Sequence, residues 1–259
     1  MDDPVLLTGA GGRVGQAILR DLADDYDWRL LDREPLPREK IPESVDGDAV
    51  YVADVTDDEA VAEAVDGVGA IIHLAGDPRP EAPWDSVLRN NIDGTQTVFE
   101  AAVEADVDKV AFASSNHAVG AFETDERTPE MYRPHDDYRL DGTELPRPSN
   151  LYGVSKAAGE TLGRYYHDHD DLSVVCVRIG NLTRGHPPWN YERGQAMWLS
   201  YRDCARLFDC CLTADYGYEI VYGISDNERK YYDISRAREV LGYEPIDNSK
   251  EFEDHPKNQ

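Results

Sequence analysis

The stretch "VLLTGAGGRVGQAILRDL", residues 5–22, decides the fold. An apolar strand opens it, a turn follows with Gly9, Gly12 and Gly15 at three-residue spacing, and a helical period takes over at once. Glycine lets a backbone come close to a pyrophosphate, and the N–H groups of the first helical turn then stabilise its charge. Such a turn between a strand and a helix points to a dinucleotide, and the missing G-K-[ST] ending excludes a P-loop. The segment "WRLLDRE" ends a second strand on Asp32, placed to take the ribose hydroxyls of an adenosine. That carboxylate would repel a 2′-phosphate, which favours NAD over NADP, although Arg33 beside it supplies a cation that NADP could use. Asp54, in "VADVTD", is placed either for the adenine edge or as a cap for the helix beginning "TDDEAV".

Further apolar runs, "AVYVADVTD", "AIIHLAGD", "KVAFASSNH" and "LSVVCVRIGNL", alternate with helical segments. Strands buried on both faces and separated by helices predict an α/β fold, a Rossmann-type doubly wound parallel sheet. Residues 1–180 are expected to form the nucleotide-binding domain, including a helix at "LYGVSKAAGE". Residues 181–259 are expected to be a small substrate-lining region packed on the same domain. Between Gly120 and Ser149 periodicity disappears, and a charged, proline-containing stretch of that length suits a functional loop or lid. The polar tail "DNSKEFEDHPKNQ" is expected to fray.

"LYGVSKAAGE", residues 151–160, sets Tyr152 and Lys156 one helical turn apart on one face. A phenol with its ordinary pKa near ~10 is a poor base at neutral pH. A neighbouring ammonium favours the phenolate and lowers that pKa, so the pair suits removal of an alcohol proton while hydride leaves the carbon. The small residues after Lys156 suit a helix packed closely under a cofactor. Ser114 and Ser115 fall at the C-terminal end of a strand, the edge where open α/β sheets place ligands. Asn116 and His117 follow and could read sugar hydroxyls.

With these residues in place, the chain resembles an extended short-chain dehydrogenase/reductase from residue 5 to about 245. Within that superfamily the blocks "TGAGGRVG", "HLAGD", "NNIDGT", "SSNHAVG", "LYGVSKAAGE", "VRIGNL" and "YERGQAMWLS" are most similar to the uronate dehydrogenase group. The acidic composition and "DPRPEAPWDSVLRNNIDGT" look like its halophilic archaeal branch of NAD-dependent glucose-6-phosphate dehydrogenases. The resemblance implies oxidation of C1 of a cyclic sugar to a 1,5-lactone, with uronate oxidation as the alternative. It implies catalysis by Tyr152 as base, Lys156 as its tuner and Ser115 as holder of the C1 hydroxyl. Cofactor contacts are expected from Gly9, Gly12, Arg13, Val14, Gly15, Asp32, Arg33, Asp54, Val55, Leu74, Asn91, Tyr152, Lys156 and Ile179. Substrate contacts are expected from Pro78, Arg79, Ser115, Asn116, His117, Asn181 and Arg193, with no metal.

Arg193 falls where the group's arginine grips a uronate carboxylate, and its fork suits a phosphate equally. Pro78 takes the place of the small polar residue of the uronate pattern, and Arg79 adds positive charge. The long segment from Gly120 to Asn150 adds Arg133, His135 and Arg139. More positive charge at the substrate mouth would suit a dianionic phosphorylated hexose. A nucleotide-sensing protein without turnover is disfavoured by the Tyr/Lys pair, and a sugar-nucleotide epimerase by the short C-terminal part.

Composition narrows the partners. The 259 residues carry a net charge of −26, with 52 acidic against 26 basic side chains. Such a surface repels nucleic acid and anionic membranes. It suits a salt-rich cytosol, where the Debye length falls to ~3 Å at 1 M. No run of apolar residues is long enough for a membrane span, and the start lacks a basic leader, so a cytoplasmic enzyme is expected. The four cysteines lack a C-x-x-C pair and suit reduced thiols. The superfamily's habit of pairing through two helices implies a homo-oligomer.

Overall fold

Strand β1 (Val5–Thr8) lies between β2 (Trp28–Asp32) and β4 (Ala70–His73). With β3 (Val50–Val52), β5 (Lys109–Ser115), β6 (Ser173–Ile179) and β7 (Tyr218–Gly223) they form one sheet. Its order is β3-β2-β1-β4-β5-β6-β7, and every pairing is parallel. This computed structural model describes residues 3–124, 139–183 and 192–252.

The apolar strands have a simple cause: the sheet is covered on both sides. Successive side chains of a strand point to opposite faces. Leu7, Leu30 and Ile72 therefore join a core under helices α1 (Arg13–Leu22) and α7 (Tyr201–Thr213). Their neighbours Leu6, Leu31 and Ile71 join the opposite core with α2 (Asp58–Val65) and α4 (Gly94–Glu104). Helix α5 (Leu151–Asp170) packs beside α4 on that second face. Helix α4 is entered through α3 (Trp84–Val87) and a π-helical turn, Leu88–Asp93.

The chain runs from β1 outward to β2 and β3, then returns to β4 on the other side of β1. At that reversal the loops leaving β1 and β4 diverge and open a crevice. Residues beyond 180 complete the same sheet, since β7 pairs with β6. They also supply α6 (Glu192–Ala196), α8 (Ser235–Leu241) and a third core. In that core Met197, Tyr222, Tyr231 and Tyr232 pack with Val119 and Leu140.

The tail corrects its expectation. Buried Asp203 accepts the N–H groups of Ile246 and Asp247 at 2.8 and 3.0 Å, and Ser249 Oγ donates to the Gln195 carbonyl at 3.0 Å. Residues 246–249 are therefore anchored, because an unpaired buried carboxylate would be costly. Residues 253–259, and Arg133 and His135 of the central loop, lie outside the described residues. The four cysteines are free thiols.

Candidate active site

The glycine turn is dictated by sterics. Gly9 has φ +70°, and a Cβ there would lie 2.9 Å from the Ala75 backbone nitrogen. At Gly15 a Cβ would come within 2.6 Å of the Ala10 carbonyl, so α1 could not seat against the turn. Asp32 Oδ2 accepts the Gly11 N–H at 2.9 Å, bracing the turn from the end of β2. Lys40 Nζ holds the Gly11 carbonyl at 2.6 Å from the other side. The first turn of α1 has no acidic residue, and its N-cap, Gly12, offers no side chain to bond its N–H groups.

A cavity of about 800 Å³ runs from this turn, across the ends of β1 and β4, to the start of α5. It fits a dinucleotide: bare backbone at one end, a carboxylate beside it, and room for a second ring system beyond. A Cβ on Gly11 would meet Leu36 at 2.7 Å, so even one added carbon would crowd the cradle. Every residue expected at the cofactor lines the cavity except Asn91. Asn91 is buried one step back, donating to the Asp77 carbonyl and Ser155 Oγ while its Oδ1 accepts the Asp77 N–H. The cavity wall receives Asn90 in its place. Of the two readings of Asp54, the cap belongs elsewhere: Asp57 caps α2, while Asp54 accepts both the N–H and hydroxyl of Thr56.

Helix α5 carries Tyr152 and Lys156 into this cavity, and its small residues explain how. A Cβ on Gly159 would lie 2.3 Å from the Phe112 ring, and one on Gly153 would lie 2.2 Å from the His117 carbonyl. The helix thus sits tight on β5. Gly159 faces Phe112 rather than the cavity, so close packing of the helix on the sheet accounts for that small residue. Lys156 is 5% exposed, with Nζ donating to the Ala113 carbonyl at 2.7 Å and standing 5.6 Å from the Tyr152 ring centre.

The electrostatics reverse a simple expectation. The dominant influence on the phenol is burial rather than the ammonium. Burial dominates and pushes Tyr152 up to about 12, opposed by a hydrogen bond with Ser115. Burial also pulls Lys156 down to about 8, with Glu160 opposing. Each charge is costly alone because low dielectric penalises it.

The two serines separate cleanly. Ser114 Oγ donates to Glu160 Oε1 at 2.6 Å, and Glu160 is clamped by fully buried Arg178 at 2.8 and 2.9 Å. Ser114 is thus spent on the network behind the helix, which leaves Ser115 as the hydroxyl beside Tyr152.

At the far end Asn116, His117, Asn181, Pro78 and Arg193 line the cavity, and Arg79 does not. Arg79 turns back to Asp77, with Nε 2.9 Å and Nη2 2.6 Å from its carboxylate, so it adds no free cation to the mouth. Arg193 is bound by Glu123 through both carboxylate oxygens, and Tyr231 donates to Glu123 at 2.7 Å. Among the described residues Asn116 Oδ1 is buried and has no hydrogen-bond partner, which leaves an acceptor unused beside the cavity. Lys40, Leu36, Asn90 and Glu123 were not identified from sequence. Leu36 and Lys40 follow β2 in a stretch with no periodic signal, Asn90 sits on the π-helical turn before α4, and Glu123 lies 70 residues from its arginine.

Comparison with known proteins agrees with this geometry. Residues 5–186 match the NAD dependent epimerase/dehydratase family. The chain is 79% identical over 252 residues to the NAD-dependent glucose-6-phosphate dehydrogenase of Haloferax volcanii, covering 97% of this chain and 96% of that one. It is 36% identical to a uronate dehydrogenase of Pseudomonas syringae pv. tomato, covering 96% of this chain and 83% of that one. It superposes on a uronate dehydrogenase from Agrobacterium tumefaciens, solved as a tyrosine-to-alanine mutant complexed with NAD. That match has a TM-score of 0.83 and 32% identity, covering 97% of this chain and 88% of the other.

Proposed function

The chain belongs to the NAD dependent epimerase/dehydratase family, and from that premise we propose that it oxidises C1 of glucose 6-phosphate to 6-phosphogluconolactone. The observation that carries this reading is the 79% identity to the Haloferax enzyme across nearly the whole of both chains. The residues around Tyr152 supply what the reaction needs.

Tyr152 and Ser115 share a hydrogen bond, so their oxygens can grip one substrate hydroxyl together. When bound, NAD supplies the acceptor for the hydride leaving C1. With Tyr152 as the phenolate, its Oη takes the hydroxyl proton. Burial opposes a lone phenolate and a lone ammonium, and each opposite charge offsets the other's desolvation when both are present. The Ala113 carbonyl holds Lys156 Nζ at 2.7 Å, with the ammonium 5.6 Å from the Tyr152 ring centre. Asn116 offers its unpaired Oδ1 to the sugar, and Arg193 offers the edge of its guanidinium not occupied by Glu123 to the phosphate.

Initial rates of NADH formation in molar KCl test the reading, with glucose 6-phosphate, galacturonate and glucose side by side. Glucose 6-phosphate should give the highest kcat/KM. Preference for galacturonate would select the second reading, a uronate dehydrogenase, which the carboxylate-shaped fork of Arg193 also permits. The proposal places the protein in the cytoplasm, in keeping with its net charge of −26. Among the described residues no helix is long and apolar enough to cross a membrane. A homo-oligomer is part of the proposal, supported by Leu151, Val154 and Tyr165 left exposed on α5.

A further inference from the structure

Asn150 begins the catalytic helix with a choice that its amide settles. Its Oδ1 accepts the Gly153 N–H at 2.8 Å as the N-cap of α5. An N–H needs an acceptor, so this bond fixes which end of the amide is oxygen. The other end, Nδ2, lies 2.9 Å from His117 Nδ1 and can only donate. Nδ1 must then carry a lone pair, and a neutral imidazole with Nδ1 bare holds its proton on Nε2.

We infer that Asn150 is a positioning residue that locks His117 in the Nε2–H tautomer, making it a hydrogen-bond donor on the sugar-binding wall of the cavity. The inference rests on the proposed sugar oxidation for the identity of the acceptor, a substrate oxygen. The surroundings agree with it. Ser149 Oγ, 3.4 Å from Nδ1, can turn its hydroxyl to donate to the same lone pair, and the Tyr152 ring meets the imidazole edge-on at 5.6 Å. Burial and the charge of Arg193 hold the imidazole below its ordinary pKa, with Glu123 opposing, so the neutral form prevails near neutrality. The coupling is stiff, since Gly153 packs directly on the His117 backbone. One side chain thus starts the helix that delivers Tyr152 and selects the proton position of a neighbour 33 residues away.

Two variants test this without sacrificing the cap, because Asp and Ser both serve well at an N-cap. In Asn150→Asp the group facing Nδ1 becomes an acceptor, so Nδ1 should gain a proton. Nitrogen NMR of histidine-labelled protein, with His117 assigned by its loss in His117→Gln, reads the tautomer directly. Unmodified protein should show protonated Nε2 and bare Nδ1. Asn150→Asp should show Nδ1–H and an imidazole pKa higher by about one unit or more. Its kcat/KM for glucose 6-phosphate should fall about tenfold as Nε2 loses its proton. Asn150→Ser should show mixed tautomers and a smaller loss. Protonated Nδ1 in the unmodified protein, or an Asp variant with unchanged tautomer and pKa, overturns the inference. The spectra need no substrate. Failure to oxidise glucose 6-phosphate would therefore remove the proposed reaction while leaving the tautomer assignment standing.

Discussion

Arg193 and Glu123 form a two-point ion pair on the cavity wall, 70 residues apart in sequence, with Nη2 and Oε1 at 2.8 Å. Glu123 is further held by the Tyr231 hydroxyl, so the carboxylate is anchored rather than free to swing away. An anionic substrate therefore meets an arginine already half neutralised. Arg193→Ala should raise KM for glucose 6-phosphate far more than for uncharged glucose. Glu123→Gln, which keeps an oxygen toward the guanidinium but removes the charge, should lower KM for the anion about fivefold, equivalent to about 1 kcal/mol. Steady-state kinetics on both sugars decide it, and equal effects on the two would separate Arg193 from the anion.

Tyr152→Phe removes the oxygen that pairs with Ser115 and is proposed to take the proton. Turnover should fall by about 10²–10⁴-fold, the usual worth of a general base. NAD affinity, measured by fluorescence quenching or calorimetry, should change little, because the glycine turn and Asp32 are untouched. Near-normal rates in the variant would eliminate Tyr152 as base.

Lys156 carries a stability signature. Its folded pKa of about 8 lies below the ordinary lysine value of 10.5, so the folded state releases its proton first as pH rises. Below pH 8 the burial penalty is fully present, at about 3 kcal/mol, and it disappears as pH climbs toward 10.5. Lys156→Met should therefore raise Tm by several degrees at neutral pH, with the gain shrinking across that window. The same variant should lose activity and shift what remains to higher pH. A Tm difference independent of pH would contradict the assignment.

Asp32 Oδ2 braces Gly11, and in the proposed reading its charge also faces the adenosine end of NAD. Asp32→Asn should retain much of the brace while removing the charge that repels a 2′-phosphate. NADP use relative to NAD should improve in Asn, whereas Ala should weaken both cofactors. Comparing kcat/KM for the two cofactors across both variants separates specificity from turn geometry.

Gly159→Ala should destabilise the protein by about 1–3 kcal/mol, because the added methyl overpacks against Phe112. Denaturant unfolding in molar KCl measures it. Activity should fall as well if α5 is pushed off β5, since Tyr152 and Lys156 ride on that helix.

The sequence by itself determined the parallel α/β architecture, because strands buried on both faces must be apolar throughout and a glycine turn between strand and helix suits a pyrophosphate. It also determined the Tyr152/Lys156 pair, since helical spacing is a local property. Tertiary structure supplied the reason that Ser115 rather than Ser114 stands beside Tyr152, because Ser114 is claimed by Glu160 from a different element. It decided that Arg79 is spent on Asp77 and that Arg193 is shared with Glu123. It reversed the expected direction of the Tyr152 pKa as well, since desolvation depends on everything packed around a group and leaves no trace in the spacing of letters.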